Sequence, residues 1–170
     1  MKKRLFVLLL ALCMLFMSAA VAETGGSTDQ TELAVVQIGT ATLTLPSGFS
    51  YNEETTSQLH SERASEIISC TDSEWNSILL LCYPEVTGRK DGWIATVTIR
   101  TLLDRGYNTI RAAGECAALI RIDENGLADA YIIKRYEIIT ITVRCETPEA
   151  SMETLNWVLD HAVIPETPLH

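Results

Sequence analysis

Apolar and polar positions alternate with period two over much of this chain, and that alternation predicts β-strands. Ala34 to Ile38 is a β-rich run, Gly39-Thr40 a turn, and Ala41 to Leu45 the returning strand. In the returning strand apolar residues alternate with threonines, the pattern of a half-buried sheet. Pro46-Ser47-Gly48 closes it, since proline cannot continue a ladder and glycine takes open turn angles. Ser50 to Ser65 is polar and without period, which predicts a loop with room for one helical turn. Glu66 to Thr71 and Ser77 to Tyr83 then flank a polar turn containing Trp75, a hairpin signal that Pro84 ends.

Asp91 to Arg105 carries two signals. Thr96 to Ile99 favours a strand on propensity. Asp91 suits an N-cap, Gly106 suits the position after a helix, and Ile94, Val97, Thr101 and Leu102 would share one helical face. The expectation is a helix. Cys116 to Cys145 predicts a three-stranded meander. Cys116, Ala118, Ile120 and Ile122 share a face, and Asn125-Gly126 supplies a two-residue hairpin turn. Ala128 to Lys134 returns, Arg135 to Glu137 turns again, and Ile139, Ile141, Val143 and Cys145 form the next apolar face. A last helix follows, with Thr147 as cap, Pro148 in its first position and Glu149 at the positive end of its dipole. Met152, Leu155, Leu159 and Ala162 make its apolar stripe. The predicted class is α+β: a mostly antiparallel sheet of hairpins plus a C-terminal meander, packed by a middle helix and a C-terminal helix.

The N-terminus changes the picture. Lys2, Lys3 and Arg4 precede an unbroken apolar run from Leu5 to Met17, and Ala20-Val21-Ala22 follows. This is the three-part pattern of a secretory signal peptide, and the run is too short for an ordinary membrane span. Cys13 follows Leu12 inside that run, which does not fit a lipidation site. Residues 1–22 are expected to be removed, 23–32 to form a polar flexible leader, and 33–170 to form one domain. Cleavage removes three cations and no acid, taking the formal net charge from −9 to −12. Nucleic acid and anionic lipid surfaces would be repelled, and no membrane span remains after cleavage.

The element order, with Leu45-Pro46-Ser47-Gly48-Phe49, the Arg105-Gly106-Tyr107 step, the meander and the closing helix from Glu149, resembles the PsbP/DcrB-like superfamily of small extracytoplasmic α/β proteins. The usual tryptophan after the glycine is Phe49 here. Similar proteins include an extrinsic subunit of photosystem II, bacterial envelope lipoproteins and a nuclear-import factor that binds a small GTPase. The resemblance implies a binding or assembly role rather than catalysis, and transfers no site residue.

Candidate chemistry is sparse. The chain has no G-x-S-x-G, H-E-x-x-H, Walker or S-x-x-K motif. Of three histidines, His170 is terminal, His60 sits in the polar loop and His161 suits the negative end of the last helix. Glu53-Glu54 and Asp123-Glu124 read as solvated turn acids, and a hairpin tip offers too few oxygens for calcium. Cys70, Cys82, Cys116 and Cys145 would remain after cleavage, either as two disulfides or as buried thiols, and their spacing fits no zinc site. Glu153, Trp157 and His161 fall at i, i+4 and i+8 on the last helix and form a candidate protein-contact patch, with packing of Trp157 on the sheet as the alternative. Trp75 is a second aromatic contact candidate if it does not fold back. The expectation is a secreted, non-catalytic binding or assembly module at the cell envelope. Its expected partner is another envelope or secreted protein, without cofactor or metal. The rival is a small extracytoplasmic hydrolase or a carrier of an apolar ligand between sheet and helices. A structural subunit of a larger envelope complex is a third reading.

Overall fold

A computed structural model describes residues 33–84, 91–134 and 136–166. The expected signal peptide, the leader and His170 lie outside the described residues. In chain order the elements are β1 (Val35–Ile38), β2 (Ala41–Thr44), β3 (Ser50–Tyr51), α1 (Glu53–Gln58), β4 (Glu66–Thr71), β5 (Ser77–Pro84) and α2 (Asp91–Asp104). There follow β6 (Thr109–Ala113), β7 (Cys116–Ile122), β8 (Ala128–Ile133), β9 (Glu137–Arg144), α3 (Pro148–Asp160) and β10 (Ala162–Val163). The class is α+β, as the alternation predicts.

Seven strands form one antiparallel sheet in the order β3-β4-β5-β9-β8-β7-β6. Its centre is the eight-residue pairing of β5 with β9, from Ser77 opposite Arg144 to Pro84 opposite Glu137. That register carries one apolar row set across the sheet, with Ile78, Leu80, Ala130, Ile132, Ile139 and Ile141 fully buried. A second sheet, β1-β2-β10, and helix α3 pack over this face, where Ile38, Leu43, Leu155 and Leu159 complete the core. Thr147 Oγ1 accepts the Ala150 N–H at 3.2 Å, and Pro148 opens α3, so the predicted cap forms.

The opposite face carries a smaller cluster of Leu102, Tyr107 and Leu119, with Tyr131 and Ile133 against it. The end of α2 builds it. The Tyr107 N–H reaches the Leu102 carbonyl and the Gly106 N–H reaches the Leu103 carbonyl, each at 3.0 Å. This is a Schellman motif, with Gly106 at φ +87° and the Leu102–Tyr107 contact that accompanies it. The predicted helix is therefore present. Thr101, expected on its apolar face, is instead exposed, while Leu102 is buried. The side chains of Ile94 and Val97 lie outside the described residues.

Several expectations need correction. The meander has four strands, because β6 pairs along β7 from Thr109 opposite Ile120 to Ala113 opposite Cys116. Its mixed polar sequence shows no clean period, as suits an outer strand. The Ser50 to Ser65 loop contains the short strand β3 and the six-residue helix α1. Glu137 begins β9 rather than ending a turn. The Asp123–Gly126 turn is not a two-residue hairpin. Asp123 Oδ1 accepts the N–H groups of Asn125 and Leu127, each at 2.9 Å, and only Gly126 takes positive φ. The result is a type I turn with a left-handed glycine after it.

All four described cysteines are thiols. Strand register keeps Cys82 from both Cys70 and Cys116. Cys82 lies opposite Glu66 and Cys70 opposite Ile78, an offset of four residues or about 13 Å. Two more strands separate β5 from β7, which puts Cys82 and Cys116 more than about 14 Å apart. A disulfide needs Cα atoms within about 7 Å. Burial pushes the Cys70 thiol up to about 11.

Two glycines separate conformation from space. Nothing lies near a Cβ placed at Gly106, whereas one at Gly114, with φ +59°, would sit 2.6 Å from the Ile164 backbone nitrogen. Gly106→Ala is expected to cost about 1 kcal/mol and Gly114→Ala about 2–4 kcal/mol. Urea unfolding of the two variants checks the difference.

Candidate functional site

The β4–β5 hairpin ends in a turn that its own side chains lock. Asp72 Oδ1 accepts the N–H groups of Glu74 and Asn76, each at 2.9 Å, and Asn76 Nδ2 donates to Asp72 Oδ2 at 2.7 Å. Trp75 sits on this frame at φ +66°, the one non-glycine residue with positive φ among the described residues. It is 85% exposed, so it does not fold back. A large side chain in the left-handed region is sterically costly, and the surrounding bonds hold it there.

The helical patch is partly assembled. Trp157 and His161 stack with ring centroids 4.0 Å apart and planes 17° apart, and His161 Nδ1 lies 2.8 Å from the Trp157 carbonyl oxygen. Glu153 is exposed one turn earlier on the same helix. Trp157 is half-buried against the core. The indole therefore covers the sheet's flank and offers less open surface than Trp75. His60 is exposed in the loop after α1.

A buried charged cluster has no counterpart in the sequence reading. Lys134 and Glu137, three residues apart, pair at 2.9 Å with side chains only 2% and 10% exposed. Thr40, from the β1–β2 turn, donates its hydroxyl to Glu137 and accepts from Lys134, and its N–H reaches Glu137 Oε2 at 3.2 Å. The neighbouring Gly39 N–H donates to Glu66 at 2.8 Å, and the Cys82 thiol lies 3.6 Å from Glu137. Burial works to raise the Glu137 carboxyl, but hydrogen bonds from Thr40 and Lys134 outweigh it and hold the group below its usual range. Threonine beside lysine is a nucleophile–base pairing in outline. Here the Lys134 amino group is spent donating to both Glu137 and Thr40, and the Thr40 hydroxyl donates to Glu137, not to the lysine. The cluster's evident work is to seat the β1–β2 turn on the large sheet.

A second polar knot lies on the opposite face. Asp129 accepts from Tyr107 at 3.2 Å, from Arg121 at 3.2 and 3.1 Å, and from Thr142 at 2.8 Å. The Arg121 guanidinium sits 4.6 Å from the Tyr107 ring centroid, and Tyr107 meets Tyr131 edge to face at 5.1 Å. Burial and then the Asp129 charge push the Tyr107 phenol well above its usual value. Each carboxylate oxygen is partnered, so this group packs and orients strands.

Beside this knot an open cleft of about 460 Å³ runs along β6 to β8. Ile99, Ile110, Leu119, Tyr131 and Ile133 line its walls, and Glu115, Glu166 and Lys134 stand at one end. The Glu166 N–H donates to Glu115 Oε2 at 2.8 Å. Neither acid had a sequence signal, because they meet only where the chain returns to the β6–β7 turn. Among the described residues no cluster of His, Cys, Asp and Glu could hold a metal ion, and no helix is long and apolar enough to cross a membrane. No family model matches the chain, and no curated protein matches it significantly in sequence.

Two outcomes are expected at the buried pair. Glu137→Leu alone strands a buried ammonium and lowers stability by about 3–5 kcal/mol, and adding Lys134→Met restores most of the loss. The depressed Glu137 value stabilises the fold above the ordinary carboxylate value of 4.5, and that contribution disappears as pH falls through the folded value. Glu137→Gln should therefore lose less stability than wild type on acidification below that point, as read by urea unfolding across pH.

Proposed function

We propose that this protein is a non-catalytic binding module of the cell envelope, exported by its N-terminal signal, which engages another envelope or secreted protein through the tip of its β4–β5 hairpin. The observation that carries this reading is Trp75, 85% exposed on a turn that holds it at φ +66°. Tryptophan is the side chain most enriched among residues that dominate binding energy. A backbone that stores strain to display one supports a contact role, since glycine or asparagine would suit the turn better. The resemblance to PsbP/DcrB-like proteins, read from element order, points the same way. Both polar clusters are satisfied internally, which favours binding over hydrolysis. The patch of Glu153, Trp157 and His161 ranks second as a contact surface, because Trp157 is half-buried.

Trp75→Gly relieves the left-handed strain, so stability is expected to hold or rise by up to about 1 kcal/mol. The same change should abolish capture of the protein's partner from a crosslinked envelope fraction, while Trp157→Ala retains it. Capture that survives Trp75→Gly and fails in Trp157→Ala would move the contact to α3.

A further inference from the structure

We infer that the outer edge of β6, together with the cleft beside it, is a docking site for an extended segment of a partner protein that carries an apolar residue and a basic residue on one face. This site is separate from the Trp75 tip, which lies at the other end of the strands.

The two ends of the seven-stranded sheet differ. At one end β3 is two residues long. At the other end β6 runs five residues, and no described strand pairs with its outer side. An unpaired edge offers a row of backbone donors and acceptors to an added strand. Proteins usually blunt such edges with charge or proline; the one charge on β6, Arg111, is paired with Asp160, while Ile110, 70% exposed, and Ala112, also exposed, stand on the cleft side.

A strand added to β6 would place every second side chain over the cleft. The residue beside Ile110 would pack on the Ile110 side chain, which is 70% exposed at the rim of the cleft, with Leu119 opposite Ile110 on the next strand in. About four residues along, on the same face, the segment would pass the Gly114–Glu115 turn. There Glu115 and Glu166 stand at the end of the cleft, and neither has a cation partner among the described residues. The lysine at that end is already held by Glu137 and Thr40. The excess charge is therefore negative, and it selects a lysine or arginine.

The test is selection of a phage-displayed library of random heptapeptides on the purified protein. Wild type should enrich sequences with an apolar residue and a basic residue at even spacing. Reversing both acids, with Glu115→Lys and Glu166→Lys together, should weaken the selected peptides by about tenfold or more and turn the library's preference to acidic residues. Ile110→Glu should remove binding of either set. Enrichment indifferent to the charge reversal overturns the inference, as does no enrichment. A dimer broken by Ile110→Glu would assign the edge to a second copy and overturn it equally. Peptides held by Trp75 would be unaffected by the charge reversal and by Ile110→Glu, so the two readings fail separately.

Discussion

The pairing of β5 with β9 is the contact on which the rest of this domain depends. These strands belong to different local units, the Trp75 hairpin and the C-terminal meander, and eight matched residue pairs fuse them into one sheet. Because strand side chains alternate, this register decides which residues face the core. A slip of one residue would turn Ile139, Ile141 and Val143 away from α3 and the small sheet, exposing the largest buried rows in the protein. The cover of β1, β2, β10 and α3 has a surface to close on only after this fusion.

The charged pair at the end of those rows follows from the same geometry. Glu137 faces the core side because it lies two residues before Ile139 on β9, and Lys134, just past the end of β8, meets it there. The turn between β1 and β2 then seals both and supplies the hydroxyl and N–H groups that satisfy them. A buried ion pair adds little net stability over an apolar pair, but an incomplete one is costly. The β1–β2 turn adds the bonds that the pair does not supply itself, with Thr40 on Glu137 and Lys134 and Gly39 on Glu66. Asp129 does similar work on the opposite face, tying Tyr107, Arg121 and Thr142 together.

What this satisfied interior leaves open lies at its margins. Trp75 is displayed at one end of the strands, and β6 with its cleft forms one lateral edge. Both are places where the structure departs from the local economy of a sheet protein, a large residue in a left-handed turn and an apolar side chain on an unpaired edge. Those departures, rather than any catalytic constellation, carry the functional reading.

Much of the domain was legible along the chain. Alternation in β2 and in the meander strands is written in residues two apart, and β4 and β5 show as β-rich runs around a turn. The cap and proline of α3, with Met152, Leu155 and Leu159 of its stripe, are written in near neighbours, whereas Ala162, expected on that stripe, lies in β10. The Schellman end of α2 was anticipated at Gly106 for the same reason. Of the candidate contacts, Trp75 and the Glu153–Trp157–His161 face were visible, but their exposure was not, because exposure depends on what packs nearby. The edge strand β6, the short strands β3 and β10, and the joining of the two sheet halves were not visible. Short edge strands carry little periodicity, and strand partners distant in sequence share no local signal. Lys134 and Glu137 show this most plainly: in sequence they are ordinary turn charges, and they become a buried pair only when Thr40, 97 residues from Glu137, closes over them. The sequence by itself determined the elements, because element choice rests on neighbours within a few residues. Tertiary structure alone decided the sheet order, the buried charges and the open edge, because each arises where segments remote in the chain meet.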